Sequence, residues 1–168
     1  MPMDGIIQPD FIEIDETLRL RKYDGCHDFA FDWYQDPDTV LMVDGVRNTY
    51  SRERLDKMYA YLNNIGELYF IEVAENGVFS PIGDVTFWRD DMPIVIGPPQ
   101  YRSRGIGRRV VTALMERARS LGFTEFHVGE IYRWNTPSRA LFTSMGFVTY
   151  EETEQGHRHK IHLAKNEV

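Results

Sequence analysis

The chain carries its most informative stretch at Arg102-Ser103-Arg104-Gly105-Ile106-Gly107-Arg108-Arg109, between an apolar strand pattern and a long amphipathic helix pattern. The N-terminus of a helix presents unpaired backbone N–H groups and the positive end of the helix dipole. Two glycines let that backbone approach an anion closely, and four arginines add positive charge. This stretch, called the phosphate loop below, therefore predicts a binding site for a phosphate group.

Two common nucleotide-binding motifs fit the phosphate loop poorly. A P-loop requires Lys and then Ser or Thr after its last glycine, where this chain has Arg108 and Arg109. A dinucleotide-binding loop requires a third glycine, at the position that Val110 occupies. On spacing alone, a plain helix start with solvated arginines is an equally good interpretation.

The segments on either side of the loop predict a mixed α/β architecture. Alternating apolar and polar residues and apolar runs predict strands, in segments 11–21, 67–97, 124–132, 147–152 and 157–164. Apolar residues at helical spacing predict helices, in segments 27–64, 106–121 and 135–146. The strand–helix–strand order across residues 93–131 predicts a local parallel pairing. We therefore expect a mixed sheet with helices on both faces.

Composition and charge narrow the classes of partner. The chain has 168 residues, of which 42% are hydrophobic, and a formal net charge of -7. Its length fits one globular domain, so we expect a single domain over residues 1–168. The negative charge argues against nucleic acid and anionic membranes as partners and favours a cationic one. No apolar run is long enough to span a bilayer, and the N-terminus does not resemble a signal peptide.

The cysteine content bears on location. Cys26 is the one cysteine in the sequence and has no partner for a disulfide within the chain. This favours a reducing, cytoplasmic location, and we expect a buried thiol rather than a reactive one.

Three histidines near the C-terminus do not predict a metal site. His157 and His159 share one face of a predicted strand, whereas His162 lies on the other face. No cysteine or carboxylate cluster accompanies them to complete a coordination shell, so we expect no bound metal.

Two motifs resemble those of the GCN5-related N-acetyltransferase (GNAT) family. The family signature Gln/Arg-x-x-Gly-x-Gly/Ala follows a Pro-x-Tyr-Arg sequence, as in Pro99-Gln100-Tyr101-Arg102-Ser103-Arg104-Gly105-Ile106-Gly107. Its second motif resembles Asn135-Thr136-Pro137-Ser138, followed by Leu141-Phe142 and Gly146-Phe147. The resemblance is close over residues 67–152. It implies the GNAT fold, a mixed α+β architecture with about seven strands, helices on both faces and a splay between strands 4 and 5.

A third segment resembles one branch of the family. Trp33-Tyr34-Gln35-Asp36-Pro37 looks like the Trp-x-x-Asp-Pro sequence of the branch with ribosomal-protein N-terminal acetyltransferases and some aminoglycoside acetyltransferases. An aromatic side chain packed at a helix end before a proline is the favoured explanation of this segment. The resemblance to this branch is therefore loose.

The resemblance to the family implies acetyl-CoA as co-substrate, bound in the splay between strands 4 and 5. Main-chain N–H groups of the loop would hold the pyrophosphate, at Arg102, Ser103, Arg104, Gly105, Ile106, Gly107 and Arg108. Val95, Ile96 and Gly97 would pair with pantetheine and polarise the thioester carbonyl, as backbone donors aimed at a developing oxyanion do. Asn135 and Phe142 complete the predicted cofactor-binding set, and Asn135 is equally well explained as a helix N-cap.

A general base is useful because a primary amine is mostly protonated at neutral pH. The resemblance points to Glu130, five residues before Asn135, where the ribosomal-protein branch carries its general base. An exposed strand glutamate paired with a neighbouring arginine is an equal alternative. Asp84 and a base acting through water also stay open.

The predicted general acid departs from the family pattern. The usual acid is a tyrosine after the leucine of the second motif, and this chain has Phe142 there. Phenylalanine cannot protonate a departing thiolate, so Ser138, Tyr132 or bound water would do so, or the thiolate leaves unassisted. Ser138 is also explained by packing or capping in the first turn of its helix.

These observations predict an acetyl-CoA-dependent N-acetyltransferase in which a primary amine attacks the thioester directly. The acceptor is expected to be cationic, as a small polyamine, an aminoglycoside or a protein N-terminus would be. A homodimer is left open as the oligomeric state. The alternative, suggested by Phe142, is a CoA-binding regulatory module with little or no turnover.

Overall fold

The computed structural model describes residues 3–164. Its strands are β1 (Phe11–Glu13), β2 (Leu18–Lys22), β3 (Glu67–Glu75), β4 (Val78–Phe87), β5 (Ile94–Ile96), β6 (Glu125–Tyr132), β7 (Val148–Glu152) and β8 (Gly156–His162). Its helices are α1 (Pro37–Asp44), α2 (Arg52–Ile65), α3 (Ile106–Ser120) and α4 (Thr136–Ser144), with 3-10 helices at Asp28–Gln35 and Pro99–Tyr101. The predicted mixed α+β class is confirmed.

The strands form two sheets that separate between β5 and β6. One sheet has the order β1-β2-β3-β4-β5 and the other the order β6-β8-β7. Every strand pair in the described part of the chain is antiparallel. The parallel pairing expected across residues 93–131 is therefore wrong, because β5 and β6 are not hydrogen-bonded to each other. The fourth and fifth strands of the family pattern correspond to β5 and β6 here, so this separation is the predicted splay. The gap between β5 and β6 is called the opening below.

Apolar side chains cover both faces of the five-stranded sheet. On β4, Val85 and Phe87 join the larger core, with Val110 and Leu114 of α3. On β3, Phe70 points to the opposite face of the sheet and lies in a second core, together with aromatic and aliphatic side chains of α2. Residues 82–87 are all buried because helices cover both sides of this strand.

Helix α3 begins and ends at glycines with positive φ. Gly105 is its N-cap with φ 77°, and Gly122 follows it with φ 83°. Between them Val110, Val111 and Leu114 are fully buried on one face. The glycines are needed because the left-handed conformation is unfavourable for residues with a Cβ.

Helix α1 has strong signals at both ends. The Asp36 side chain accepts a hydrogen bond from the Asp38 N–H, and Pro37 occupies the first turn. Gly45 ends the helix in the left-handed conformation, with φ 78°. Asp36-Pro37 and Asp44-Gly45 are therefore the two ends of this helix.

The environment of the single cysteine differs from the prediction. Cys26 is exposed, and its backbone N–H donates to Asp24 Oδ1. The expectation of a buried thiol is wrong, because the residue lies in a turn between β2 and the first 3-10 helix rather than on a core-facing element. Among residues 3–164, no helix combines the length and the apolar character needed to cross a bilayer.

Candidate active site

The phosphate loop presents a run of free backbone donors. No residue in the described part of the chain accepts a hydrogen bond from the N–H groups of residues 103–108. Positive φ values at Ser103 (60°) and Gly105 (77°) alternate with ordinary ones, which turns successive N–H groups toward a common side. A Cβ at Gly105 would meet nothing within 4 Å, whereas one at Gly107 would lie 3.2 Å from Leu141. The loop therefore has donors and open space for an anion at Gly105, and close helix packing at Gly107.

The four arginines of the loop differ in their contacts. Arg109 forms an ion pair with Asp15, which neutralises its charge, and Arg108 donates to Ser144 Oγ. Arg104 lies over the Tyr101 ring, 5.7 Å from the centroid. Arg102 turns back toward β5. The positive charge available to a ligand at the loop therefore comes mainly from Arg104 and Arg108.

The register of β5 determines which of its backbone groups face the opening. The Gly97 N–H donates to Ile82 O at 2.8 Å, and Val95 is paired with Asp84. Backbone groups of successive residues in a strand point to opposite sides, so the N–H and C=O of Ile96 point away from β4. Among the predicted residues Val95, Ile96 and Gly97, it is Ile96 that presents a backbone N–H to the opening.

One side chain links the two sheets across the opening. Asp91, just before β5, accepts hydrogen bonds at 2.7 Å from the N–H groups of Met92 and of Gly129 on β6. A Cβ at position 129 would lie 2.7 Å from the Asp91 carboxyl, so only glycine permits this approach. The opening is therefore tied together near the start of β5.

Helix α1 contacts both walls of the opening. On the β5 side, the Arg102 guanidinium donates to Thr39 Oγ1 at 2.9 Å. On the β6 side, Trp134 Nε1 donates to Leu41 O at 3.0 Å and Asn135 Nδ2 donates to Met42 O at 3.4 Å. The helix thus bridges the two sheets at the end of the opening where they part.

Asn135 and Ser138 lie at the start of α4. Asn135 is the N-cap of the helix, and its Oδ1 accepts from the Ser138 N–H at 3.3 Å. The Ser138 side chain is half-buried, and its hydroxyl has no hydrogen-bond partner among residues 3–164. The capping role that the sequence allowed for Asn135 is therefore present in the structure.

Glu130 occupies an irregular part of β6. The register between β6 and β8 shifts between Val128 and Ile131, which leaves Gly129 and Glu130 outside the regular ladder. Glu130 is exposed, and its carboxylate has no ion pair within the described residues. Burial raises the pKa of Tyr132, and the negative charges of Glu130 and Asp44 raise it further. These two carboxylates therefore lie near the Tyr132 hydroxyl.

The predicted cofactor residue Phe142 is part of the core. Its side chain is 1% exposed and packs edge-on against Phe147, with ring centroids 5.2 Å apart. It has no polar atom and does not line the surface of the opening. Because phenylalanine has no hydroxyl, this residue cannot donate a proton to a departing thiolate.

Asp84, on β4, lies in a buried polar cluster. Its Oδ2 accepts hydrogen bonds from the Tyr34 hydroxyl at 2.7 Å and the Tyr59 hydroxyl at 2.8 Å. Burial raises the pKa of Asp84 to about 6, although the two tyrosine hydroxyls oppose the rise. Because Asp84 is 1% exposed and both tyrosine hydroxyls donate to its carboxyl, its geometry fits a positioning role better than direct contact with an acceptor.

We expect Asp84→Asn to flatten the pH dependence of stability. The folded protein holds the Asp84 proton more tightly than the unfolded chain, whose carboxyl has a pKa of 3.8, so this group's contribution falls as pH rises through about 4 to 6. The variant should therefore gain about 2 kcal/mol relative to the wild type between pH 4 and 7. Urea unfolding at several pH values measures this. Asp10→Asn, at an exposed carboxylate, is the control, and an equal effect in both variants would refute the assignment.

The histidines lie apart from the opening. His159 is buried on β8, where burial lowers its pKa, and its Nε2 lies 3.2 Å from Thr149 Oγ1. His162 instead contacts Glu125 on the neighbouring strand. Within residues 3–164 no group of three or more His, Cys, Asp or Glu side chains is arranged to hold a metal ion.

Comparison with known proteins identifies the family. The family model described as Acetyltransferase (GNAT) family matches residues 27–147. The chain therefore belongs to this family, whose acyl donor is acetyl-CoA. This confirms the resemblance drawn from the phosphate loop and the second motif, and with it the enzyme class.

Relatives and solved structures agree with this assignment. An N-acetyltransferase 9-like protein of Nematostella vectensis is 27% identical over 143 residues, covering 73% of this chain and 70% of that protein. A domain from Methanocaldococcus jannaschii has a TM-score of 0.73 at 18% identity, covering 89% and 100% of the two chains. The ribosomal L7/L12 alpha-N-protein acetyltransferase RimL, solved with coenzyme A, has a TM-score of 0.67 at 16% identity, covering 90% and 96%. The two structural matches show a shared fold.

The contacts of three residues at the site could not be predicted from the sequence. Thr39, Asp91 and Trp134 hold the walls of the opening together, yet none belongs to a motif. The Asp-Pro before Thr39 predicts the start of a helix but not its contact with Arg102. Only the glycine at position 129, in the middle of a strand pattern, indicates a close approach by another group.

Proposed function

We propose that this protein transfers the acetyl group of acetyl-CoA to a primary amine. The observation that carries this proposal is the run of free N–H groups at residues 103–108, beside a strand edge on which the Ile96 N–H is also free. The loop supplies donors for a pyrophosphate and the strand supplies donors and acceptors for an extended amide chain. The two together fit a long ligand with a charged end and a polar chain.

The same geometry supports direct attack on the thioester. Acetyl-CoA supplies an activated acyl carbon, and the free Ile96 N–H would donate to the carbonyl oxygen as negative charge develops on it. Glu130 accepts the proton that the amine loses, directly or through one water. The new C–N bond forms as the C–S bond breaks, and the sulfur leaves as a thiolate that takes up one proton.

Two hydroxyls are candidates to supply that proton. The Ser138 hydroxyl is half-buried at the start of α4 and has no partner among the described residues. The Tyr132 hydroxyl lies beside Glu130, and its raised pKa keeps it protonated at neutral pH. Since Phe142 cannot donate, we propose Tyr132, Ser138 or water as the proton source.

We propose a cationic amine as the acceptor, with a protein N-terminus as the first to test. The net charge of -7 favours a cationic partner, and one structural neighbour carries the name of an alpha-N-protein acetyltransferase. Glu130, whose carboxylate has no ion pair among the described residues, provides negative charge near the Tyr132 hydroxyl, at the β6 wall of the opening, whereas Asp44 is paired with Arg54. Polyamines and aminoglycosides share the positive charge and belong in the same panel.

A turnover assay tests the proposal. Acetyl-CoA would be incubated with the protein and with peptide N-termini, polyamines or aminoglycosides, and released CoA thiol would be measured. We expect amine-dependent release of CoA for at least one class. Tight binding of acetyl-CoA without release for any amine would favour the CoA-binding module that the core position of Phe142 suggests.

A further inference from the structure

Arg102 occupies the carbonyl side of the strand edge that faces the opening. Its Nε donates to Ile96 O at 3.1 Å and one terminal nitrogen donates to Gly97 O at 2.8 Å. The Ile96 carbonyl points away from β4, so it is available to a ligand that extends the sheet. In this structure the guanidinium therefore stands where a ligand amide would donate.

The same guanidinium holds helix α1. It donates to Thr39 Oγ1, and the buried Thr39 hydroxyl in turn donates to Asp36 Oδ2 at 3.0 Å. Asp36 is the N-cap of α1, so the chain of contacts runs from the β5 carbonyls to the start of that helix. Through Leu41 and Met42, the other end of α1 reaches the opposite wall.

We propose that Arg102 is a positioning residue that fastens α1 across the opening until an amide of the acyl donor takes the Ile96 carbonyl and releases it. This inference rests on the proposed function, because the amide is that of pantetheine. The donor would then bind first, and the released helix would admit the acceptor. The hydrogen bond between Arg102 and Thr39 is lost on binding, so it opposes binding of the donor.

The proposal predicts that one substitution strengthens the binding of CoA instead of weakening it. Thr39→Val keeps the branched shape of the side chain and removes the hydroxyl. Since the contact to Arg102 no longer has to be broken, affinity for CoA should rise by about five- to tenfold, the net equivalent of one hydrogen bond. Calorimetric titration with CoA measures this. A merely structural role for Thr39 would leave the affinity unchanged or reduce it.

The rate of amide hydrogen exchange tests independently whether α1 is released. In the wild type, CoA should speed amide exchange in residues 37–44, whereas in Thr39→Val exchange should be fast with and without CoA. Thr39→Ser, which restores the hydroxyl, should behave as the wild type in both measurements. Asp36→Ala removes the N-cap and leaves the hydroxyl of Thr39, so it shows how much exchange comes from fraying of the helix alone.

The outcomes separate this inference from the proposed function. CoA binding to the wild type with slower or unchanged exchange in residues 37–44, or with no gain of affinity in a folded Thr39→Val, overturns the role of Arg102 and leaves the acetyltransferase proposal standing. Absence of CoA binding to the wild type overturns both. Higher affinity in Thr39→Val together with faster exchange in the wild type on CoA binding supports the inference.

Discussion

Gly105→Glu should abolish detectable binding of acetyl-CoA, with an affinity loss of at least about 100-fold, while the protein stays folded. The new side chain would enter the open space in front of the free N–H groups and place a negative charge where the pyrophosphate is expected. Glutamate at φ 77° also adds backbone strain of about 1–2 kcal/mol, which a stable domain tolerates. Calorimetric titration measures binding, and circular dichroism with thermal melting measures folding.

The chain contains a matched control for this substitution. Gly122, at the opposite end of α3, also has positive φ, and a Cβ there would also meet nothing within 4 Å. Gly122→Glu should therefore cost similar stability and leave acetyl-CoA binding unchanged. If folded Gly105→Glu binds acetyl-CoA as the wild type does, the phosphate loop is not the pyrophosphate site.

Glu130→Gln should lower kcat/KM by about 10²–10⁴-fold without weakening acetyl-CoA binding, the range expected for loss of a positioned general base. Glutamine keeps the size of the side chain and removes its basicity. The activity of the variant should rise with pH toward the pKa of the acceptor amine, because deprotonation is then left to solvent. Steady-state kinetics over a range of pH with an identified acceptor measures both effects.

A second exposed strand carboxylate serves as the control. Glu13 lies on β1, at the far edge of the first sheet, and Glu13→Gln should retain wild-type kinetics. Wild-type kcat/KM and pH dependence in Glu130→Gln would show that Glu130 is only a surface residue. The base would then have to be sought in ordered water, or at Asp84 if the buried cluster opens during the reaction.

Local signals were sufficient for much of the fold. Asn-Gly between two apolar runs is a local signal for a tight hairpin, and Asn76 and Gly77 have the positive φ values, 52° and 78°, that such a turn requires. The phosphate loop was likewise predictable, because its glycines and the apolar face of α3 lie within a few residues of one another. The N-cap role of Asn135 follows from the proline shortly after it.

Contacts between distant residues were not predictable in the same way. Arg102 and Thr39 are 63 positions apart, and Trp134 and Leu41 are 93 positions apart. Periodicity describes which face of an element is buried but not which polar groups meet across a gap. For the same reason the order of β5, α3 and β6 suggested a parallel pair, whereas the loss of pairing between β5 and β6 depends on the whole tertiary arrangement.

The free edge of β5 also bears on how the protein avoids aggregation. A strand with unpaired N–H and C=O groups is a template for addition of a strand from another chain. Here that edge is only three residues long, between Pro93 and Pro98, and neither proline has an N–H to continue a ladder. Brevity and flanking prolines thus leave an edge long enough for a small extended molecule and too short for stable pairing with a foreign strand.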